Sequence, residues 1–231
     1  MLFSEMFHSI QGEGSLAGVP SIFVRTSGCN LRCWFCDTPY TSWEPERERV
    51  EWTDILERVL AIDCQHVVIT GGEPMLQPDI VPLTNELCRA GRHVTIETAG
   101  TVFRPVAADL ISLSPKLSNS TPREGHRPGA GKYTRRHDQL RDQPETIRHL
   151  TGKYQYQVKF VVDRQEDLDE IDEYLDRYHE IDRQCVYLMP QARRAEELRE
   201  KTGWVQTAAT TRNLQFSPRL QVEWWGDRRG V

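Results

Sequence analysis

The stretch EWTDILERVLAIDCQHVVITGGEPMLQPDIVPLTNELCRAGRHVTIET, residues 51–98, decides the fold class. Its opening, 51–62, sets Trp52, Ile55, Leu56, Val59 and Leu60 at the i, i+3, i+4, i+7, i+8 spacing of one helix face. Residues 66–70 then form a β-branched run ending at Gly71-Gly72, the pattern of a strand buried on both faces. A helix over about 78–90 follows, since proline suits a first helical turn, and a second strand covers 93–97. Helix, strand, helix, strand in this order implies a parallel sheet covered by helices.

Outward from this stretch the alternation continues. Ser21-Ile22-Phe23-Val24-Arg25 predicts a strand upstream. Downstream, strands are expected over 109–113, 156–162 and 185–189, with an extended piece near Leu214-Gln215-Phe216. Helices are expected over 166–178, where Leu168, Ile171, Leu175 and Tyr178 share a face, and from about Ala192. About six strands is short of the eight of a closed (β/α)₈ barrel. The fold class is α/β, an open partial β/α barrel of parallel strands, in one domain over 1–231. Chemistry in such folds collects at the C-terminal ends of the strands. Residues 117–154 break the pattern with Gly125, Pro128, Gly129, Gly131 and many charges. An inserted excursion with a short helix near 145–150 is expected there.

Of the 231 residues, 38% are hydrophobic and 27% charged, enough for one sizeable core and unlike a disordered chain. No apolar run approaches the roughly 18 residues of a membrane span. The start, MLFSEMFHSI, lacks the basic-then-apolar layout of a secretory signal. A cytoplasmic enzyme or binding protein is expected. The net charge of −5 weighs against a dedicated nucleic-acid binder, whose affinity is mostly phosphate neutralisation.

Cys29-Asn30-Leu31-Arg32-Cys33-Trp34-Phe35-Cys36 is a CxxxCxxC that follows the first expected strand, so it lies in a loop at that strand's C-terminal end. In a reducing compartment such a cluster signals a metal rather than disulfides. Closed zinc sites want four ligands, usually as two separated pairs, and no second pair lies nearby. Three cysteines suit a four-iron cluster whose fourth iron has no protein ligand. Structural zinc in a non-catalytic module is the alternative. Cys64, Cys88 and Cys185 stand singly in apolar surroundings and read as small core hydrophobes.

CxxxCxxC with an aromatic before its last cysteine resembles the signature of radical S-adenosylmethionine (SAM) enzymes, and Gly71-Gly72-Glu73-Pro74 resembles their GGEP motif. Glycines admit a ligand close to the backbone, and a glutamate can accept from an ammonium. The motifs Phe7-His8-Ser9-Ile10-Gln11-Gly12-Glu13-Gly14, Cys36-Asp37-Thr38, Glu97-Thr98-Ala99-Gly100-Thr101 and Ser114-Pro115-Lys116 are together similar to the 7-carboxy-7-deazaguanine synthase family. The similarity covers 7–116 and, more faintly, 155–191. Ala99 stands where that family usually has asparagine, and 117–154 has no counterpart assigned in it.

The resemblance implies a lyase of queuosine and deazapurine biosynthesis. A 5′-deoxyadenosyl radical takes the C6 hydrogen of 6-carboxy-5,6,7,8-tetrahydropterin. The ring then contracts with loss of ammonia to give 7-carboxy-7-deazaguanine, and SAM is regenerated. Implied as well are Mg²⁺, a homodimer and an electron donor such as flavodoxin or ferredoxin, with no direct nucleic acid and no membrane. By resemblance the 4Fe-4S cluster falls to Cys29, Cys33 and Cys36, and Mg²⁺ to Thr38. SAM falls to Phe35, Cys36, Asp37, Gly72, Glu73, Ser114, Pro115, Lys116, Gln157 and Met189, with Pro190 and Gln191 beside it. The substrate falls to Ile10, Gln11, Gly12, Arg25, Thr70, Glu97 and Thr98.

The residue types suit these roles. A glutamine beside exposed backbone groups can read the donor–acceptor edge of a pterin. A guanidinium binds a carboxylate bidentately. Mg²⁺ accepts few protein ligands when substrate and water supply the others. Gln157 and Lys159 share one strand face by period two. Arg219 and Trp224-Trp225 either close over the site or form an exposed amphipathic end. Arg47-Glu48-Arg49 and 195–201 predict solvated helix faces or caps, and Arg135-Arg136-His137 is too short a basic patch for RNA. A glycyl-radical-enzyme activase shares CxxxCxxC but acts on a protein. The Gln-Gly-Glu-Gly segment favours a small molecule.

Overall fold

Each of the six main apolar runs forms a strand, and the six lie side by side in parallel. The computed structural model describes residues 1–231. In chain order the elements are β1 (Leu2–Ile10), β2 (Pro20–Thr26), α1 (Pro39–Ser42), β3 (Glu48–Arg49), α2 (Trp52–Leu60), β4 (His66–Gly71), α3 (Ile80–Arg89), β5 (His93–Thr98) and β6 (Leu110–Leu113). They continue with α4 (Thr134–Leu140), α5 (Pro144–Lys153), β7 (Tyr156–Val162), α6 (Asp167–Arg177), β8 (Val186–Pro190), α7 (Ala195–Thr211), β9 (Gln215–Phe216) and α8 (Leu220–Trp225). One nine-stranded sheet runs β3-β1-β2-β4-β5-β6-β7-β8-β9. Every pair from β2 to β9 is parallel. The edges, β3 and β9, do not meet, so the barrel is open. No helix is long and apolar enough to cross a membrane.

The helices cover the outer face with the residues their spacing selects. Ile55 and Val59 of α2, Leu83 and Leu87 of α3, and Leu168, Ile171 and Leu175 of α6 pack with Val67, Ile69, Val94, Ile96 and Ile111 of the sheet in one core. Leu60 departs from its expected stripe. It is 42% exposed because α2 ends there, before the next turn can fold over the core. Cys64 is buried and Cys88 packs against the same core, whereas Cys185 lies outside it in the turn before β8.

Three strands were not among the six. β1 pairs antiparallel with β2 and β3 antiparallel with β1. β1 escapes a period-two reading because only Phe3 is fully buried along it. Arg47-Glu48-Arg49 is therefore no helix face, since Glu48 and Arg49 make up the edge strand β3. Lys201 of α7 is half-buried and tied down rather than free in solvent: its Nζ donates to Asp163 Oδ1 at 2.5 Å and to the Gln191 carbonyl at 2.9 Å.

The excursion is more ordered than one short helix. It holds 3₁₀ turns at Ser118–Ser120 and Ala130–Tyr133, then α4 and α5. α5 sends Ile147 and Leu150 into the core. The part before α5 packs elsewhere, on the cysteine loop.

Strand register sets up the site. Arg25 pairs with Thr70, Glu97 with Ser112, and Ser112 with Gln157. Thr70 joins this row to Glu97 by a 2.8 Å hydrogen bond from its Oγ1 to Oε2. One polar row thus crosses five strands, near the C-terminal ends of β2, β4, β5 and β6 and at the start of β7. Alternation sends the neighbouring Val24, Ile69, Ile96 and Ile111 to the opposite, helix-covered face.

Candidate active site

A cavity of about 300 Å³ opens over that row. Of the residues singled out in the sequence, Ile10, Gln11, Gly12, Arg25, Cys29, Cys33, Phe35, Cys36, Asp37, Thr38, Thr70, Gly72, Glu97, Thr98, Ser114, Lys116 and Met189 line it. Glu73, Pro115 and Gln157 do not. Gln157 instead supports the turn after β1, accepting from Ser15 N at 2.8 Å and donating to Ser112 Oγ at 2.9 Å. Gly14 in that turn, at φ +69°, sits so near Gln157 that a Cβ would lie 2.4 Å from its Nε2.

One side of the cavity is the cysteine loop. It starts from β2 and is fixed to the Gly-Gly-Glu turn after β4 by backbone bonds, Gly72 N to the Thr26 carbonyl at 3.2 Å and Glu73 N to the Gly28 carbonyl at 2.9 Å. Gly72 is required here, since a Cβ would meet the Gly28 oxygen at 2.2 Å. Glu73 is fully buried behind this turn. Its Oε1 accepts from Met75 N at 3.1 Å and Thr98 Oγ1 at 2.8 Å, and its Oε2 from Ala99 N at 2.9 Å. Burial pushes its pKa up. A carboxylate has about four acceptor sites, so Oε2 retains capacity. Thr38 precedes α1 but makes no side-chain cap bond.

Burial pushes the Cys33 thiol up to about 12, and Cys29 is raised for the same reason, with Cys33 beside it adding to the shift. Deprotonated, these thiols need a positive centre among them. Three cysteines on one loop suit a cluster in which each thiolate takes its own iron.

The excursion clamps the outside of this loop, which the sequence motifs did not reveal. Trp34 Nε1 donates to the Asn119 carbonyl at 2.7 Å and Trp34 N to the Ser120 carbonyl at 3.2 Å. Arg127 donates to the carbonyls of Trp34 and Cys36, both at 3.2 Å. His137 Nδ1 accepts from Arg32 N at 3.1 Å, and its Nε2 lies 2.9 Å from Ser120 Oγ. Burial lowers the pKa of His137 to about 4, so it is neutral at pH 7.

The other side is a charged and amide wall. The Glu97 carboxylate accepts from Gln11 Nε2 at 3.2 Å and Thr70 Oγ1 at 2.8 Å, and pairs with Lys159 Nζ at 3.4 Å. Lys159, 3% exposed, also pairs with Glu13 at 2.9 Å. Burial alone would raise the Glu13 carboxyl, but Lys159 and Arg219 hold it well below the usual carboxylate range. Arg25 donates from Nε to Glu5 Oε1 at 2.8 Å, which leaves the end of its guanidinium at the cavity. Elsewhere on the cavity lining, Lys116 Nζ donates to the carbonyl and hydroxyl of Ser114, at 2.8 and 2.7 Å.

The tail closes over the cavity rather than forming an exposed end at Arg219. Arg219 is buried, with Nε 3.1 Å from Glu13 Oε1 and Nη2 2.7 Å from Asp37 Oδ2. It bridges the wall to the residue after Cys36. Trp224, by contrast, is 50% exposed.

Residues 23–118 match the radical SAM superfamily model. The chain is similar over its whole length to the 7-carboxy-7-deazaguanine synthase of Rhodopirellula baltica, at 48% identity and 89% of that protein's length. It is 44% identical to the synthase of the same name from Halobacterium salinarum, over 97% of this chain and 90% of the relative. Among solved structures it is similar to QueE from Escherichia coli, with a TM-score of 0.68 and 25% identity over 93% of this chain and 92% of that one.

Proposed function

The chain belongs to the 7-carboxy-7-deazaguanine synthase family of radical SAM enzymes, and from this premise we propose how its cavity divides the work. It is a lyase using a 4Fe-4S cluster and SAM, and it acts on a small molecule, 6-carboxy-5,6,7,8-tetrahydropterin, to give 7-carboxy-7-deazaguanine and ammonia. The observation that carries the division is that three cysteines and the Gln11–Glu97–Lys159 wall face one another across a single cavity.

Cys29, Cys33 and Cys36 hold the cluster. Bound there, the cluster would supply the electron for reductive cleavage of SAM. Phe35 to Asp37, Gly72, Ser114, Lys116 and Met189 seat SAM beside it, and the buried Glu73 fixes the Gly-Gly turn against Thr98 and Ala99 from behind. Gln11, Gly12, Thr70, Glu97 and Thr98 read the donor–acceptor edge of the pterin, and Arg25 takes its carboxylate. Because Glu97 is already bonded by Thr70 and Lys159, it stays fixed as a substrate donor approaches. Thr38 supplies one oxygen to Mg²⁺, the rest coming from substrate and water. Arg219, held by Glu13 and Asp37, seals the rim against water. An electron donor and a homodimer complete the working enzyme.

The test is anaerobic incubation of reconstituted protein with 6-carboxytetrahydropterin, SAM, Mg²⁺ and a chemical reductant, read by mass spectrometry. Wild type is expected to form 7-carboxy-7-deazaguanine, and Cys33→Ala to form none and to lose bound iron. No product from the iron-loaded wild type overturns the proposal.

A further inference from the structure

The electron that starts the reaction must reach the cluster while SAM and substrate fill the cavity. Its path therefore starts on another face of the cysteine loop. Cys29 has such a face. It lines the main cavity, and it also lines a separate crevice of about 50 Å³ formed with Arg32, Tyr133, Arg136 and His137 on the outer side.

The surface around this crevice is basic in a chain whose net charge is −5. Between Thr121 and His137, Arg123, Arg127, Lys132, Arg135 and Arg136 stand against Glu124 alone. Arg127 is used up on the cysteine-loop carbonyls. Arg123, Lys132, Arg135 and Arg136 are exposed and enter no ion pair, while the nearby Asp138 is taken by Thr121 and Arg141. Elsewhere exposed arginines are commonly neutralised, as Arg89 is by Glu86 and Arg199 by Glu196. Unneutralised cations grouped at one mouth make a local positive field, which steers an oppositely charged partner.

We propose that the outer face of 121–136 is the docking surface for an acidic one-electron carrier protein, which reduces the cluster through the crevice beside Cys29. The inference rests on the cluster assignment made above. Encounters of this kind are small and short-lived, so charge acts on the association rate and fades with salt. Arg127 within this face bonds to Trp34 and Cys36, and Asn119 and His137 on either side of it bond to Trp34 and Arg32, which holds the docking face and the cysteine loop as one unit.

The test compares wild type with Lys132→Glu/Arg135→Glu/Arg136→Glu. A control carries the same charge change on distant helices, Arg58→Glu/Arg89→Glu/Arg199→Glu. The probe is a reduced flavodoxin of strongly negative charge. Cluster bleaching is followed by stopped flow at low and at moderate salt, and flavodoxin binding is measured by calorimetry. The first variant should be reduced about ten-fold or more slowly at low salt and bind flavodoxin correspondingly more weakly, with the gap narrowing as salt rises. Its turnover with dithionite should match wild type, and the control should behave as wild type in both assays. Equal reduction of the first variant and wild type overturns the proposal, as does equal slowing of the control. So does a loss confined to binding of an RNA oligonucleotide. Failure of the wild type to turn over with dithionite would instead refute the function proposed above.

Discussion

Arg25 has a guanidinium that is half committed. Its Nε is held by Glu5, and it lies over the Phe7 ring at 5.6 Å, which fixes the plane of the group. The two terminal nitrogens have no partner within the chain, and a planar carboxylate matches such a pair. Losing that contact should cost about 2–5 kcal/mol, part of it from a substrate carboxylate left unpaired. Arg25→Ala should thus bind the carboxylated pterin at least about ten-fold more weakly while SAM affinity holds, and Arg25→Lys should recover only part. Calorimetry with the pterin and with its decarboxylated analogue checks this. Equal weakening of both would mean that the change acts through Glu5 and β1. Thr38 is a simpler case, since its hydroxyl makes no cap bond and has only long contacts, 3.3 Å to the Thr41 hydroxyl and 3.8 Å to the Cys36 sulfur. Thr38→Ala should keep the fold, iron and SAM binding and lose the Mg²⁺ response of the rate. An unchanged Mg²⁺ titration would remove Thr38 from the metal site.

Among the elements, α4 was hidden in the sequence. A helix is legible when several apolar residues share a face, as on α2 and α6, but α4 buries only His137. Its burial is a polar one, directed at Arg32 N and Ser120 rather than at the core. Neutral His137 accepts from Arg32 N, so protonation removes an acceptor in the middle of the clamp. Its pKa is about 4 in the fold against an ordinary 6.5. Between those values the unfolded chain binds more protons, so stability falls as pH drops through this window and is unaffected above it. The full loss is on the order of 3 kcal/mol. Urea midpoints at about pH 7 and about pH 5 should separate in wild type and converge in His137→Gln, which cannot take up the proton. Parallel slopes in the two proteins would show that other groups carry the acid sensitivity. β1 was hidden for a related reason: its partly buried side chains show no alternation.

For the molecule as a whole, the sequence disclosed the parallel order and the cysteine side of the site, because both are written in contiguous runs. The opposite wall is assembled from register. Thr70, Glu97 and Ser112 lie far apart in sequence on three strands, and only the pairing of β5 with β6 and the Thr70–Glu97 hydrogen bond make them a row. Period two puts Lys159 on one strand face with Gln157 without saying whether that face is interior; the ion pairs with Glu13 and Glu97 make it so. Arg219 lies 206 positions from Glu13, beyond the reach of any local pattern. What the assembled molecule provides is one closed space with a thiol side and a pterin-reading side. A hydrogen can pass directly between two ligands only if both are bound in that space together. The measurement is therefore anaerobic turnover of 6-carboxytetrahydropterin deuterated at C6, with mass spectra of both product and SAM. Deuterium should appear in the adenosyl group of SAM as product forms. Product formed with deuterium released to water and none in SAM would contradict the account.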